Sequence, residues 1–178
     1  RFANGDTRND PPGAEPWGGV PKPKNYFGGD LQGIIDHLDY ISSLGVNALY
    51  LNPIFESNSN HKYTTTDYMK IDPHFGDERT FKNLVDACHA RGIRVILDGV
   101  FNHTGVDFFA FKDIIKNETK SKYANWYNVR SFPVGPANKP NYECWRGYGD
   151  LPTLMTQNPE ARRYLFHVTR HWTRSALD

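Results

Sequence analysis

The chain has 178 residues, 38% of them hydrophobic and 23% charged, which is enough apolar material for one domain with a sizeable core and argues against disorder throughout. Net charge is +1, with Lys and Arg scattered along the chain, so nothing pulls toward nucleic acid or an anionic membrane surface. No apolar run approaches the ~18 residues of a membrane span. The two cysteines, Cys88 and Cys144, make neither a disulfide scaffold nor a zinc motif.

Residues 1–29 are rich in Gly, Pro, Asn and Asp and read as a long ordered loop. Within it, "NGDTRND" sets Asn4, Asp6, Asn9 and Asp10 close together. Hard oxygens on a glycine-containing loop suit Ca²⁺ better than zinc. An EF-hand fails here, because Arg8 takes a ligand position and Asn9 replaces the required glycine. An Asx-rich turn without metal is the alternative.

A helix is predicted over 30–44, with Leu31, Ile34, Ile35, Leu38, Ile41 and Leu44 at helical spacing and Gly45 as its stop. "VNALYL", 46–51, is an apolar run of the kind buried on both faces of a parallel sheet. A polar loop then leads to a second helix over 78–91, whose apolar face is Phe81, Leu84, Val85 and Cys88. "IRVILDGVF", 93–101, is a second buried-type strand. Helix followed by strand, twice, predicts parallel β/α architecture.

After Thr104 the pattern breaks into a short helical piece near "FFAFKDIIK" and turn-rich text. A third helix opens at "NPEARRYLF", with Asn158 as N-cap, Pro159 in the first turn and Glu160 at the positive end of the helix dipole, and runs to about Ser175. Two parallel strands cannot close a sheet, and an eight-stranded barrel needs about 250 residues. The expected fold class is therefore α/β, a segment of a TIM (β/α)8 barrel with an inserted domain B after the third strand. The expected division is 1–103, the N-terminal part of the barrel; 104–157, the insertion; and 158–178, the barrel helix that follows.

In such barrels the working residues sit where strands end. "NPIFESNSNHKYTTTDY" and "DGVFNH" occupy those places, and offer Asn52, His61, Tyr63, Asp67, Asp98, Asn102 and His103. His167 and His171 stand four apart on the third helix, but no glutamate follows the first, so the zinc-protease motif is absent.

"DGVFNH" resembles the first conserved region of the α-amylase superfamily, glycoside hydrolase family 13. "ALYLNPIF", "HKYTTTDY" and "FGDERTFKNLVDACHARGIRVILD" resemble the flanking segments of that family. "LPTL", 151–154, followed by "NPEAR", resembles the fifth region of its neopullulanase and cyclomaltodextrinase subgroup, with Thr153 where that subgroup usually has lysine. The resemblance implies a retaining α-glucan hydrolase acting on α-1,4-glucosidic bonds of an α-glucan oligosaccharide or cyclodextrin. It implies that Tyr63 and His103 hold the sugar at the cleaved bond, one by stacking and one by hydrogen bonding, while Asp98 orients the site. It implies a Ca²⁺ cofactor held by Asn4, Asp6, Asn9, Asp10, Gly28 (through its carbonyl) and Asp30. It also implies a nucleophile in a Gly-x-Arg-x-Asp strand, with the acid on the strand after it. None of that stands in these 178 residues, so the expectation is a chain inactive by itself. A homodimeric parent, hydrolysis competing with transglycosylation, and a location either inside or outside the cell are compatible with the same resemblance. The rival class is a non-catalytic glucan-binding module.

Overall fold

The computed structural model describes residues 2–16 and 18–175. The chain divides into two compact units, one of Arg1–Glu56, Lys70–Asp98 and His171–Asp178, the other of Ser57–Met69 and Gly99–Arg170. No helix among the described residues is long and apolar enough to cross a membrane.

In the first unit the expected helix over 30–44 is two short helices, α1 (Leu31–Asp36) and α2 (Leu38–Ser43). The break falls at His37, whose φ of −115° leaves the helical region while its ring donates through Nδ1 to the Gly33 carbonyl, 2.8 Å away. Helical spacing of apolar residues survives such a break, so the pattern could not report it. Strand β1 (Ala48–Leu51) lies parallel to β4 (Arg94–Leu97), with Ala48 opposite Arg94 and Leu51 opposite Leu97. The parallel pairing expected from the helix–strand repeat is therefore present.

Helix α3 (Glu78–His89) connects toward β4 and buries the predicted face of Phe81, Leu84, Val85 and Cys88. Asp77 caps it, accepting from the Thr80 amide at 2.7 Å, and these bonds hold the Asp77 carboxyl below the usual carboxylate range. Trp172 closes the core with its ring 5.3 Å from Phe55 and 5.8 Å from Phe81. The strands are not buried on both faces as expected: Tyr50 is 56% and Ile96 48% exposed. An apolar run marks a strand able to take a covering layer and does not say that one is there.

The polar stretch expected as loop between the first strand and α3 holds two further strands, β2 (Phe55–Ser57) and β3 (Thr65–Ile71). Thr, Asp and Lys dominate β3, so its hydropathy hides a strand whose Tyr68 is fully buried. In the second unit the Tyr68 hydroxyl lies 2.7 Å from the Val100 carbonyl and 2.8 Å from that of His103. Around it gather Phe108 and Tyr164, while Phe111, Tyr127 and Tyr142 form a second group of edge-to-face rings. Helix α4 (Phe109–Asn117) contributes Phe111 and Ile114 to this core. Helix α5 (Pro159–Ser175) begins as the sequence predicts, with Asn158 Oδ1 accepting from the amides of Glu160 and Ala161.

Burial raises the Tyr142 hydroxyl to about 12 and pushes Tyr68, Tyr127 and Tyr164 up as well. An acid whose folded value lies above its unfolded value stabilises the fold below the unfolded value, and that stability is lost as pH rises toward the folded one. The unfolding free energy is thus expected to fall from about pH 10 upward, with the phenolate absorbance of these four, near 295 nm, appearing together with loss of far-ultraviolet ellipticity. Phenolate absorbance of all tyrosines rising near pH 10 with the fold intact would contradict it.

Candidate functional site

The loop expected to hold a metal folds around one carboxylate. Asp30 is 4% exposed and takes four N–H groups: Gly5 and Gly33 on Oδ1 at 2.9 and 2.7 Å, Asp6 and the Asn9 side chain on Oδ2 at 2.9 Å each. It caps α1 and pins residues 5–9 to the helix start in the same act. The Asn4 amide donates to both oxygens of Asp10 at 3.1 and 3.0 Å. Gly28 lies so close beneath them that an added Cβ would overlap Asn4 and stand 2.7 Å from Asp10 Oδ1. His74 holds the loop from its other side, with Nδ1 2.9 Å from the Asn9 carbonyl.

Several residues expected as ligands already carry bonds in the fold. Asp6 is turned outward onto Arg8, whose backbone N, Nε and Nη2 it accepts at 3.0, 2.8 and 2.7 Å. That guanidinium holds the Asp6 carboxyl down to about 2. Asp30 is committed to its four donors. The buried side-chain oxygens of Asn4 and Asn9, by contrast, meet no donor. A buried amide oxygen without a partner costs free energy, and a hard cation is one group that satisfies it. Asn4, Asn9 and Asp10 therefore fit a Ca²⁺ site, with Gly28 packed against them.

Asp98 stands immediately after β4, not within the strand as expected. Its backbone continues the pairing through a 3.2 Å bond to the Leu51 carbonyl. Its Oδ2 accepts from the Tyr50 hydroxyl at 2.8 Å, a neighbour on the adjoining strand that sequence spacing could not reveal.

Tyr63 and His103, forty residues apart, meet in the second unit. His103 donates through Nε2 to the Tyr63 carbonyl at 3.1 Å and accepts at Nδ1 from the Asn102 amide at 3.1 Å. This network places the ring proton on Nε2. His103 is only 7% exposed, and its ring ties Tyr63 to Asn102. The loop carrying Tyr63 is braced by side chains that sequence reading passed over. Ser57 and Ser59 hydroxyls lie 2.9 and 2.8 Å from Thr64 Oγ1. The buried Lys62 ammonium donates to the Ser57 carbonyl at 3.1 Å. Asn58 reaches Asp107 at 2.6 Å. A lysine in "HKY" carries no signal of burial; only the fold supplies it.

A parallel strand pair fed by helices, with a carboxylate just past one strand, is an arrangement found in barrel enzymes. The chain belongs to the alpha-amylase family, whose catalytic-domain model matches residues 1–178. It is 54% identical over 177 residues to a cyclomaltodextrinase of Thermoanaerobacter pseudethanolicus, covering 97% of this chain and 30% of that protein. It is 50% identical over 181 residues to neopullulanase 2 of Thermoactinomyces vulgaris, covering 100% of this chain and 31% of that protein. Among solved structures, the cyclic alpha-maltosyl-(1→6)-maltose hydrolase of Arthrobacter globiformis superimposes with a TM-score of 0.96 at 49% identity, over 100% of this chain and 40% of the other. These relatives are glycoside hydrolases, and the chain spans under a third of the length of the two curated ones.

Proposed function

We propose that this chain is the part of a retaining α-glucan hydrolase that grips the substrate, with Tyr63 and His103 holding the sugar ring and Asp98 orienting the site. The observation that carries the reading is the His103 to Tyr63 bond, which joins the two residues the family resemblance assigns to the same sugar. The Arthrobacter globiformis hydrolase, crystallised with its cyclic maltosyl-maltose and with maltose, supports an α-linked oligosaccharide or cyclodextrin as ligand. Residues 104–157 would correspond to the family's domain B.

Retaining hydrolysis needs one carboxylate to attack the anomeric carbon and a second to protonate the leaving oxygen and later activate water, the two about 5 Å apart. Neither has a motif in these 178 residues, since no Gly-x-Arg-x-Asp occurs among them. The residues present bind and orient. The Tyr63 ring would lie against the apolar face of the sugar, and His103 would exchange its bond to the Tyr63 carbonyl for one to a sugar hydroxyl. Ca²⁺, when bound through Asn4, Asn9 and Asp10, would supply charge that ties the first loop together.

The chain is therefore expected to bind maltohexaose without turning it over. Nuclear magnetic resonance titration should show saturable shifts that His103→Ala weakens by roughly tenfold, the loss of one good hydrogen bond in a shielded site. Release of chromophore from a nitrophenyl maltooligosaccharide above the buffer rate would show that the chain holds its own nucleophile and acid.

A further inference from the structure

Two large aromatic side chains of the second unit stand in the open, one of them beside His103. Trp145 is 40% and Tyr148 59% exposed. Their rings are stacked, 6.0 Å between centroids and 26° between planes. The turn that carries them explains the arrangement. Tyr148 N bonds the Trp145 carbonyl at 2.9 Å, and the two residues between, Arg146 and Gly147, both have positive φ, 49° and 82°. This is the pattern of a type I′ turn, which sets the residues on either side of it next to each other on one face. Glycine adopts such a φ freely and arginine does not, so Arg146 holds the shape at a conformational cost. Its guanidinium lies 5.0 Å from the centre of the Trp145 ring and steadies it.

The turn is also fixed relative to His103. Cys144 pairs with Pro152 and His103 pairs with Thr153, both antiparallel. Thr153 N bonds the Glu143 carbonyl and Thr104 N the Pro152 carbonyl, at 3.0 and 3.1 Å. The Trp145 ring thereby comes to rest 6.0 Å from the His103 ring. A rigid pair of rings with an imidazole beside it and a guanidinium over Trp145 matches a ligand that is apolar on its faces and hydroxylated round its rim. A sugar ring has that chemistry, with faces for the rings and hydroxyls for the guanidinium.

We propose that the Trp145–Tyr148 ring pair is a stacking subsite for an α-glucan, taking a glucosyl unit next to the one at His103. The proposal rests on the reading of His103 and Tyr63 as sugar-holding residues. It makes the turn a determinant of specificity, favouring chains of several units over free glucose, because only a chain reaches both places at once.

The test is a resonance titration of the chain with maltohexaose and, separately, with glucose. Maltohexaose should move the Trp145 indole N–H signal. Trp145→Ala and Tyr148→Ala should each weaken maltohexaose binding by about tenfold, the loss of one apolar face, with glucose binding unchanged. Trp145→Phe, which keeps a stacking face, should recover most of the affinity and guards against an effect on folding alone. His103→Ala separates the two claims. Binding lost in His103→Ala but intact in Trp145→Ala and Tyr148→Ala overturns the subsite and leaves the functional reading standing. No maltohexaose binding by the unaltered chain overturns both. Movement of the Trp145 signal on dilution, without sugar, would mean that a second copy of the chain covers the rings, and that also overturns the subsite.

Discussion

Asp30→Ala is expected to destabilise the fold by about 3–4 kcal/mol, the sum expected when a buried carboxylate leaves four donors behind. The four are the amides of Gly5, Asp6 and Gly33 and the Asn9 side chain. Asparagine should not rescue the variant. Whichever way its amide points, one side presents N–H groups to two N–H groups. Urea unfolding measures the loss, and hydrogen exchange at Gly5 and Asp6 should accelerate before the rest of the first unit. The same variant probes the metal. Ca²⁺ should raise the melting temperature of the unaltered chain and leave that of Asp30→Ala unmoved, since loss of the pin scatters Asn4, Asn9 and Asp10. A calcium titration that shifts neither protein would remove Ca²⁺ from the account and leave Asp30 a purely structural hub.

Gly33→Ala should also destabilise, which is the opposite of the usual rule. Within a helix the exchange of glycine for alanine ordinarily gains about 1 kcal/mol. Gly33 lies buried in α1, and a Cβ there would overlap the carbonyl of Ala3 and stand 2.9 Å from the Asn4 amide nitrogen. These are backbone atoms and cannot rotate aside. Moving them would pull the loop from Asp30, which accepts from Gly5 and Asp6 just beyond. A net loss of about 1–2 kcal/mol is expected, an overpacking penalty near the top of its usual range less the helix gain. A midpoint of urea denaturation equal to or above that of the unaltered chain would show that the loop is not clamped there.

Much of the fold could be read ahead of the structure where one residue's signal concerns its near neighbours. The apolar face of α3 and the Asn158 cap of α5 act within three or four positions, and both appear where spacing put them. The helix–strand repeat likewise implied the parallel pairing of β1 with β4. Failures came where distant residues decide. Strand β3 reads as polar because its Thr, Asp and Lys mask the alternation, while Tyr68 is drawn inside by the carbonyls of Val100 and His103. The break at His37 is local and was missed for another reason: it depends on a side chain turning back to Gly33, which apolar periodicity does not register.

For the candidate site the division is the same. Residue types offered seven polar groups past the strands and a loop of hard oxygens, and the family resemblance of the motifs singled out Tyr63, His103 and Asp98 and the calcium ligands among them. They could not show that Asp98 is bonded by Tyr50, or that Trp145 settles beside His103. Sequence by itself determined the family, the longer helices with their caps and the inventory of groups. Tertiary structure alone decided which of those groups face each other, since contacts between residues twenty to fifty positions apart follow from how whole elements pack and leave no mark in local spacing.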